Sequence, residues 1–219
     1  MIPVIGDLLF FLGFVSAGLS WCIAYLMLVS YRTLYRKYLL GFPFGFSFLG
    51  LSFASFGISQ LMVFPENLAS WIALLLGTYG YLSISLSYAL KKEPGAGSTE
   101  SRMSDWVFFT LTVLATIVVL ALLFSTPILP SYQLADSGFR VVDFGLLAYI
   151  IYSLNQALRD RTELSSVVLG FTFLAIQQCI ELLWALDRTF VFAFLFAQLV
   201  AFAGLLILVI VLVKGFRGE

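Results

Sequence analysis

The chain contains no histidine. That absence excludes imidazole-held haem, the usual His-containing zinc, copper and di-iron sites, and every Ser-His or Cys-His nucleophile, and with them most intramembrane enzymes. Cysteine is nearly as scarce. Cys22 and Cys179 each fall inside a long apolar run, and only Cys179 lies near an outer end, so free buried thiols are expected and a disulfide is not. Charged residues make up 11% of the 219 positions and cancel to a formal net charge of zero, which implies no polyionic partner. No phosphate-binding glycine motif, acidic metal loop or basic nucleic-acid patch is present. These absences predict a protein that is not an enzyme, carries no cofactor and binds no nucleic acid.

What is there is apolar. Hydrophobic residues form 61% of the chain, far from the composition of a soluble domain. Seven long apolar runs with few or no charges follow one another, at about residues 8–30, 38–64, 71–90, 106–124, 139–158, 164–186 and 190–213. Each is close to the ~20 residues that a helix needs to cross a bilayer core. No segment between them is long enough to hold a soluble domain. The pattern predicts an all-α integral membrane protein with one seven-helix domain over residues 1–219, multi-pass in a cell membrane.

Orientation follows from the short loops. No Lys or Arg precedes the first run, Asp7 occupies the place of a basic leader region, and the run exceeds a leader's apolar stretch, so it is a spanning helix and not a cleavable signal. Arg32, Arg36, Lys37, Lys91, Lys92, Arg102, Arg159, Arg161, Lys214 and Arg217 share one side, leaving only Arg140 and Arg188 on the other. The basic side is cytoplasmic, which puts the N-terminus outside and the C-terminus inside. Trp71 and Trp184 fall near outer ends and Trp106 near an inner one, where indoles prefer to lie.

The stretch "LLGFPFGFSFLGLSFASFG", residues 39–57, places Phe42, Phe44, Phe46 and Phe48 at alternate positions, as a strand would. A lone strand in lipid leaves its backbone groups unpaired, and a barrel needs many short alternating segments, so the period is helical. Phe42, Phe46, Leu49, Phe53 and Phe56 then form one bulky stripe, with Gly41, Gly45, Ser52, Ser55 and Ser59 as a small stripe beside it. Small residues let a neighbouring backbone approach, and close packing drives association inside lipid. Tight packing is the expectation here, ahead of a ligand-binding aromatic box. Pro43 fits the first turn or two, where a missing N–H is tolerated. Comparable small stripes occur at Gly13, Ala17, Ser20 and Ala24 and at Ala193, Ala197, Ala201 and Gly204; some of these faces could meet another subunit.

The chain also resembles itself. "GFSFLGLS" at 45–52 matches "GFTFLAIQ" at 170–177, and "IAYLMLV" at 23–29 matches "LAYIIYS" at 147–153, with nearly one offset. The first three runs thus read as a copy of the last three in the same orientation, a parallel 3+1+3 repeat with the fourth run as connector. "KKEPGAGSTESRMSD" before the connector reads as a flexible linker, and "STPILPSYQLADSG" after it as an outer loop able to fold over the mouth of the bundle.

Polar residues inside a span are costly there and point to function. In "AIQQCIELLW", Gln177 and Glu181 stand one turn apart on one face. At ~1.5 Å per residue Glu181 lies about 7 Å and Gln177 about 13 Å below the outer end of its helix, with Asp143 about 6 Å and Gln198 about 12 Å down theirs. Asp143, Gln177, Glu181 and Gln198 are therefore expected to line one cavity open to the outside, with Arg140 at its rim. The structural alternative is equally weighted: glutamines bridging helices, Glu181 protonated or paired with Arg140 or Arg188, and Asp143 hydrated near the interface. Asn155 and Gln156 read as interfacial.

Seven helices, an outside N-terminus and a parallel 3+1+3 repeat resemble the scaffold of microbial rhodopsins and of the SWEET and PQ-loop transporters. Retinal in the rhodopsins is held by a lysine in mid-helix 7; the seventh run here has none, since Lys214 stands at its end. The chain has no Pro-Gln pair, and Pro43 alone lies within a run, unlike the transporters. "YRKYLLGFPFGFSFLGLS" is similar to the seven-helix sensory modules of prokaryotic, particularly archaeal, histidine kinases. What the resemblance implies is a stand-alone sensor or receptor-like module, with a structural or accessory subunit and then a small-solute transporter as alternatives. The expected partners are the lipid bilayer and a second copy of the chain or another membrane protein.

Overall fold

The computed structural model describes residues 3–34, 37–61, 68–89, 132–157, 165–186 and 191–217. The run expected at 106–124, the linker before it, Trp106 and the prolines at 127 and 130 lie outside the described residues. So do Arg36, Lys91, Lys92, Arg102, Arg159, Arg161 and Arg188, which carry most of the charge asymmetry.

Six long helices form: α1 Pro3–Leu34, α2 Gly41–Leu61, α3 Leu68–Ala89, α4 Tyr132–Ala157, α5 Ser165–Leu186 and α6 Val191–Arg217. Among the described residues no strand occurs, and each of the six is long and apolar enough to cross a membrane. The alternating phenylalanines of residues 42–48 are helical, preceded by a single 3-10 turn at Lys37–Leu40. Pro43 stands in the first turn of α2, where its missing N–H leaves no hydrogen bond unmade.

Several boundaries differ from expectation by three residues or more, most of all in α1 and α4. Helix α1 extends beyond residues 8–30 at both ends. Helix α4 begins at Tyr132 rather than near residue 139, so the last part of the supposed outer loop is helix. Asp136 and Ser137 give that stretch the look of a loop, yet Asp136 pairs with Arg140 one turn on, the spacing at which a helix brings opposite charges together.

The helices close into a ring, each packing on the next in chain order and α6 returning to α1. The outer surface is apolar: Phe11, Tyr25, Tyr152, Leu183 and Phe192 are largely exposed, whereas Asp136, Asp143, Gln177, Gln178, Glu181 and Gln198 are buried. Polar inside and apolar outside is the reverse of a soluble monomer and suits a ring surrounded by lipid.

Phe42, Phe46, Leu49 and Phe53 enter a common core with Phe171, Leu174 and Leu205, while Phe44 points outward. Phe46 and Phe171 meet across the ring, their centroids 6.3 Å apart, and Phe56 packs edge-on against Phe194 of α6 at 5.2 Å. Glycine makes the closest helix approaches. A Cβ on Gly45 would lie 2.8 Å from the Gly80 carbonyl oxygen of α3, and one on Gly80 2.8 Å from that of Gly45. In the other half, a Cβ on Gly204 of α6 would lie 2.9 Å from the carbonyl oxygen of Gly170 of α5. Gly41 likewise faces the Ser83 carbonyl, Gly13 lies against Gly57, and the Ser52 hydroxyl donates to the Ala73 carbonyl at 2.6 Å. The small stripes are thus used between helices of the same chain.

Candidate functional site: a buried ionic and amide cluster

Four helices contribute to one polar core. On α4, Asp136, Arg140 and Asp143 follow at spacings of four and three and share a face. On α5, Gln177 and Glu181 share another, with Gln178 beside them; α6 adds Gln198 and α3 adds Tyr81.

Glu181 is the hub. Its Oε1 accepts from the amide nitrogens of Gln177 and Gln198, each at 2.7 Å, and its Oε2 meets the Arg140 guanidinium. Arg140 also donates through Nε to Asp136 Oδ1 at 3.1 Å and through Nη1 to Gln178 Oε1 at 3.1 Å. Gln178 in turn donates to the Tyr81 hydroxyl at 3.4 Å, linking the cluster to α3, which also joins α4 through Ser85 and the Leu146 carbonyl. One guanidinium therefore serves two buried carboxylates, and the charge-assisted contacts are the strong ones.

Sequence reasoning placed Arg140, Gln177, Glu181 and Gln198 in one region, and the structure brings all four into direct contact. Asp143 is in the same core but outside this contact set, beside Thr78 and Tyr81 of α3. It is not a hydrated interfacial group. Because α4 begins at Tyr132, Asp143 lies about 16 Å along the helix, at ~1.5 Å per residue, and it is only 2% exposed. Asp136, Gln178 and Tyr81 were missed: the Asp136–Arg140 spacing and the second glutamine of the Gln177–Gln178 pair were legible signals, whereas nothing local marks Tyr81 as polar core.

Among the described residues, three acceptor atoms of this core, Asp143 Oδ1, Gln177 Oε1 and Gln198 Oε1, are buried without a hydrogen-bond partner. Such groups cost free energy unless something donates to them. Elsewhere the expectations divide. Cys22 and Cys179 are both free, but neither is buried as expected: Cys179 is partly exposed, and Cys22 is exposed on the outer face of α1, since its neighbours Ile23 and Ala24 take the inward positions. Asn155 and Gln156 are exposed, Gln156 donating to the Tyr152 hydroxyl at 2.6 Å. Trp184 stacks on Phe194 at 4.5 Å.

The Gln178–Tyr81 contact is long. Tyr81→Phe should lower stability by only about 0.5 kcal/mol, as an average interhelical hydrogen bond in lipid does, measured by unfolding in mixed micelles; a loss above roughly 2 kcal/mol would mean that the phenol does more than receive this bond.

Comparison with protein-family models, with curated proteins and with solved structures finds no match.

Proposed function

We propose that the chain is a non-enzymatic seven-helix membrane protein acting as a sensor or receptor-like module. Its N-terminus is outside, its C-terminus is cytoplasmic, and its polar core opens outward to a small ligand. The observation that carries this is the cluster itself. A charged, amide-lined core spanning α3 to α6 is costly in lipid, and its unfilled acceptors leave valences that a ligand would satisfy.

Several features support two packed triplets, α1–α3 and α4–α6, as copies in one orientation. Gly45 and Gly80 approach as Gly170 and Gly204 do, and Ile84 and Leu208 crowd Gly45 and Gly170 in turn. Phe46 and Phe171, which hold the same place in the two matching motifs, touch each other. Contact of α1 with α6 has its counterpart in that of α3 with α4. The cluster belongs to the second triplet plus α3. At the places corresponding to Gln177, Gln178, Glu181 and Gln198 the first triplet has Ser52, Phe53, Phe56 and Leu74. A site bridging the triplets, rather than repeated in each, suits a module that senses at one junction and relays a shift between halves. That the first triplet does not repeat the polar set weighs against a transporter built from matching polar residues in both copies. Internal use of the small stripes weighs against an accessory subunit that would need them for other chains.

The test is a distance distribution between spin labels at Arg32→Cys on α1 and Asn155→Cys on α4, both exposed positions, in a background of Cys22→Ser and Cys179→Ser. Glu181→Gln removes the charge that holds Arg140 and should redistribute the populations. An unchanged distribution in a folded variant would leave only a packing role.

A further inference from the structure

One buried carboxylate stands outside the ion pairs of the core. Asp136, Asp143 and Glu181 are buried with Arg140 as their positive neighbour, and Arg140 makes ion pairs with Asp136 and Glu181. Asp143 makes no ion pair among the described residues, and its Oδ1 has no hydrogen-bond partner. An unpaired carboxylate in so dry a place is neutralised by a proton or by a bound cation.

Thr78 and Tyr81 bring hydroxyls that can donate to Asp143 but carry no positive charge, and the nearby amides turn oxygen, not nitrogen, to the rest of the core. Gln177 and Gln198 turn their nitrogens to Glu181, which leaves their two carbonyl oxygens unpartnered beside it. From α3, Tyr81 and Thr78 face Asp143; from its own helix come Asp136 and Arg140, and from α5 Glu181. Arg140 supplies the one full positive charge in that set, and it is shared between two other carboxylates. No group of three Asp, Glu or Cys side chains able to hold a metal ion is found among the described residues, which argues against a divalent ion.

We propose that the core takes up one small monovalent cation, a proton or a sodium ion, with Asp143 as its charged acceptor and the unpartnered amide oxygens that Gln177 and Gln198 hold around Glu181 in the same buried core as the neutral acceptors. With a proton, the Asp143 carboxylate becomes a carboxylic acid able to donate to one of its neighbours. With sodium, the ion replaces part of its water shell by these oxygens. This names the ligand class of the site proposed above and rests on that reading of the cluster as a ligand site.

The experiment uses the full chain in lipid nanodiscs. Its thermal midpoint is followed by tryptophan fluorescence while sodium chloride replaces choline chloride at constant ionic strength, and again between about pH 5 and about pH 9. A saturable, single-site rise with sodium identifies the ion, and a rise with acid alone identifies the proton. In Asp143→Asn the apparent cation affinity should fall at least tenfold, with the midpoint no longer responding. The same response in wild type and Asp143→Asn overturns the proposal, as does no response to either cation in wild type.

Should Asp143→Asn fail to fold, wild type alone decides. Radioactive sodium binding at one per chain, or an infrared carboxylic-acid stretch that appears with acid, supports the proposal, and absence of both overturns it. The receptor-like reading fails separately. A cation that binds without altering the Arg32–Asn155 label distances leaves the site and removes the relay.

Discussion

Arg140→Met should destabilise the protein by about 3–5 kcal/mol, because it strands two buried carboxylates at once. Asp136 and Glu181 are 2% and 1% exposed, and both draw their counter-charge from this one guanidinium. The loss arises less from the missing attraction than from the charges left behind, which must take up protons or admit water. Removing those charges as well should therefore restore most of it. The triple variant Arg140→Met, Asp136→Asn, Glu181→Gln is expected to recover at least half of the lost stability, since its amides keep much of the shape without the charge. Reversible unfolding in mixed micelles measures the wild type and both variants. A single-variant loss below roughly 1 kcal/mol, the scale of an exposed pair, would show that the carboxylates reach water in the lipid-embedded protein.

Gly80→Ala and Gly204→Ala come next, each expected to cost about 1–3 kcal/mol by overpacking. The added methyl on Gly80 would stand 2.8 Å from the Gly45 carbonyl oxygen and 2.8 Å from Leu49, and that on Gly204 would stand 2.9 Å from the Gly170 carbonyl oxygen and from the Phe173 Cβ. Carbonyl oxygens belong to rigid helix backbones, so the helices themselves must separate. Gly145 is the control: a methyl there meets nothing within 4 Å, and Gly145→Ala should be neutral or gain up to about 1 kcal/mol from helix propensity. Equal losses at Gly145 and Gly80 would mean that intrinsic conformation, and not close approach, explains both. Similar losses at Gly80 and Gly204 would add weight to the two triplets being copies.

Much of this architecture is written locally. In lipid every backbone group must be paired within its own segment, so a run of apolar residues is already a helix, and the run at 164–186 coincides with Ser165–Leu186 to within a residue. The same local rule misplaced the start of α4. Polar residues near a span end look like a loop until a partner is found for them, and the partner of Asp136 is Arg140, which itself is satisfied by Glu181 and Gln178 on another helix. Cys22 erred in the opposite direction: apolar surroundings in sequence do not separate a helix face turned to lipid from one turned to the core, because both are apolar.

By itself the sequence determined the helices and their approximate limits, and which polar residues carry a cost that some partner must offset. Those properties depend on a residue and its neighbours within a few turns. Only the tertiary structure decided the rest: that α6 closes the ring on α1, that Phe46 meets Phe171, that Tyr81 joins the core, and that one arginine is divided between two carboxylates while Asp143 has no ion pair among the described residues. These are matters of which helix faces which, and in lipid that is set by steric fit and by the pairing of buried charges across helices, neither of which a local pattern contains.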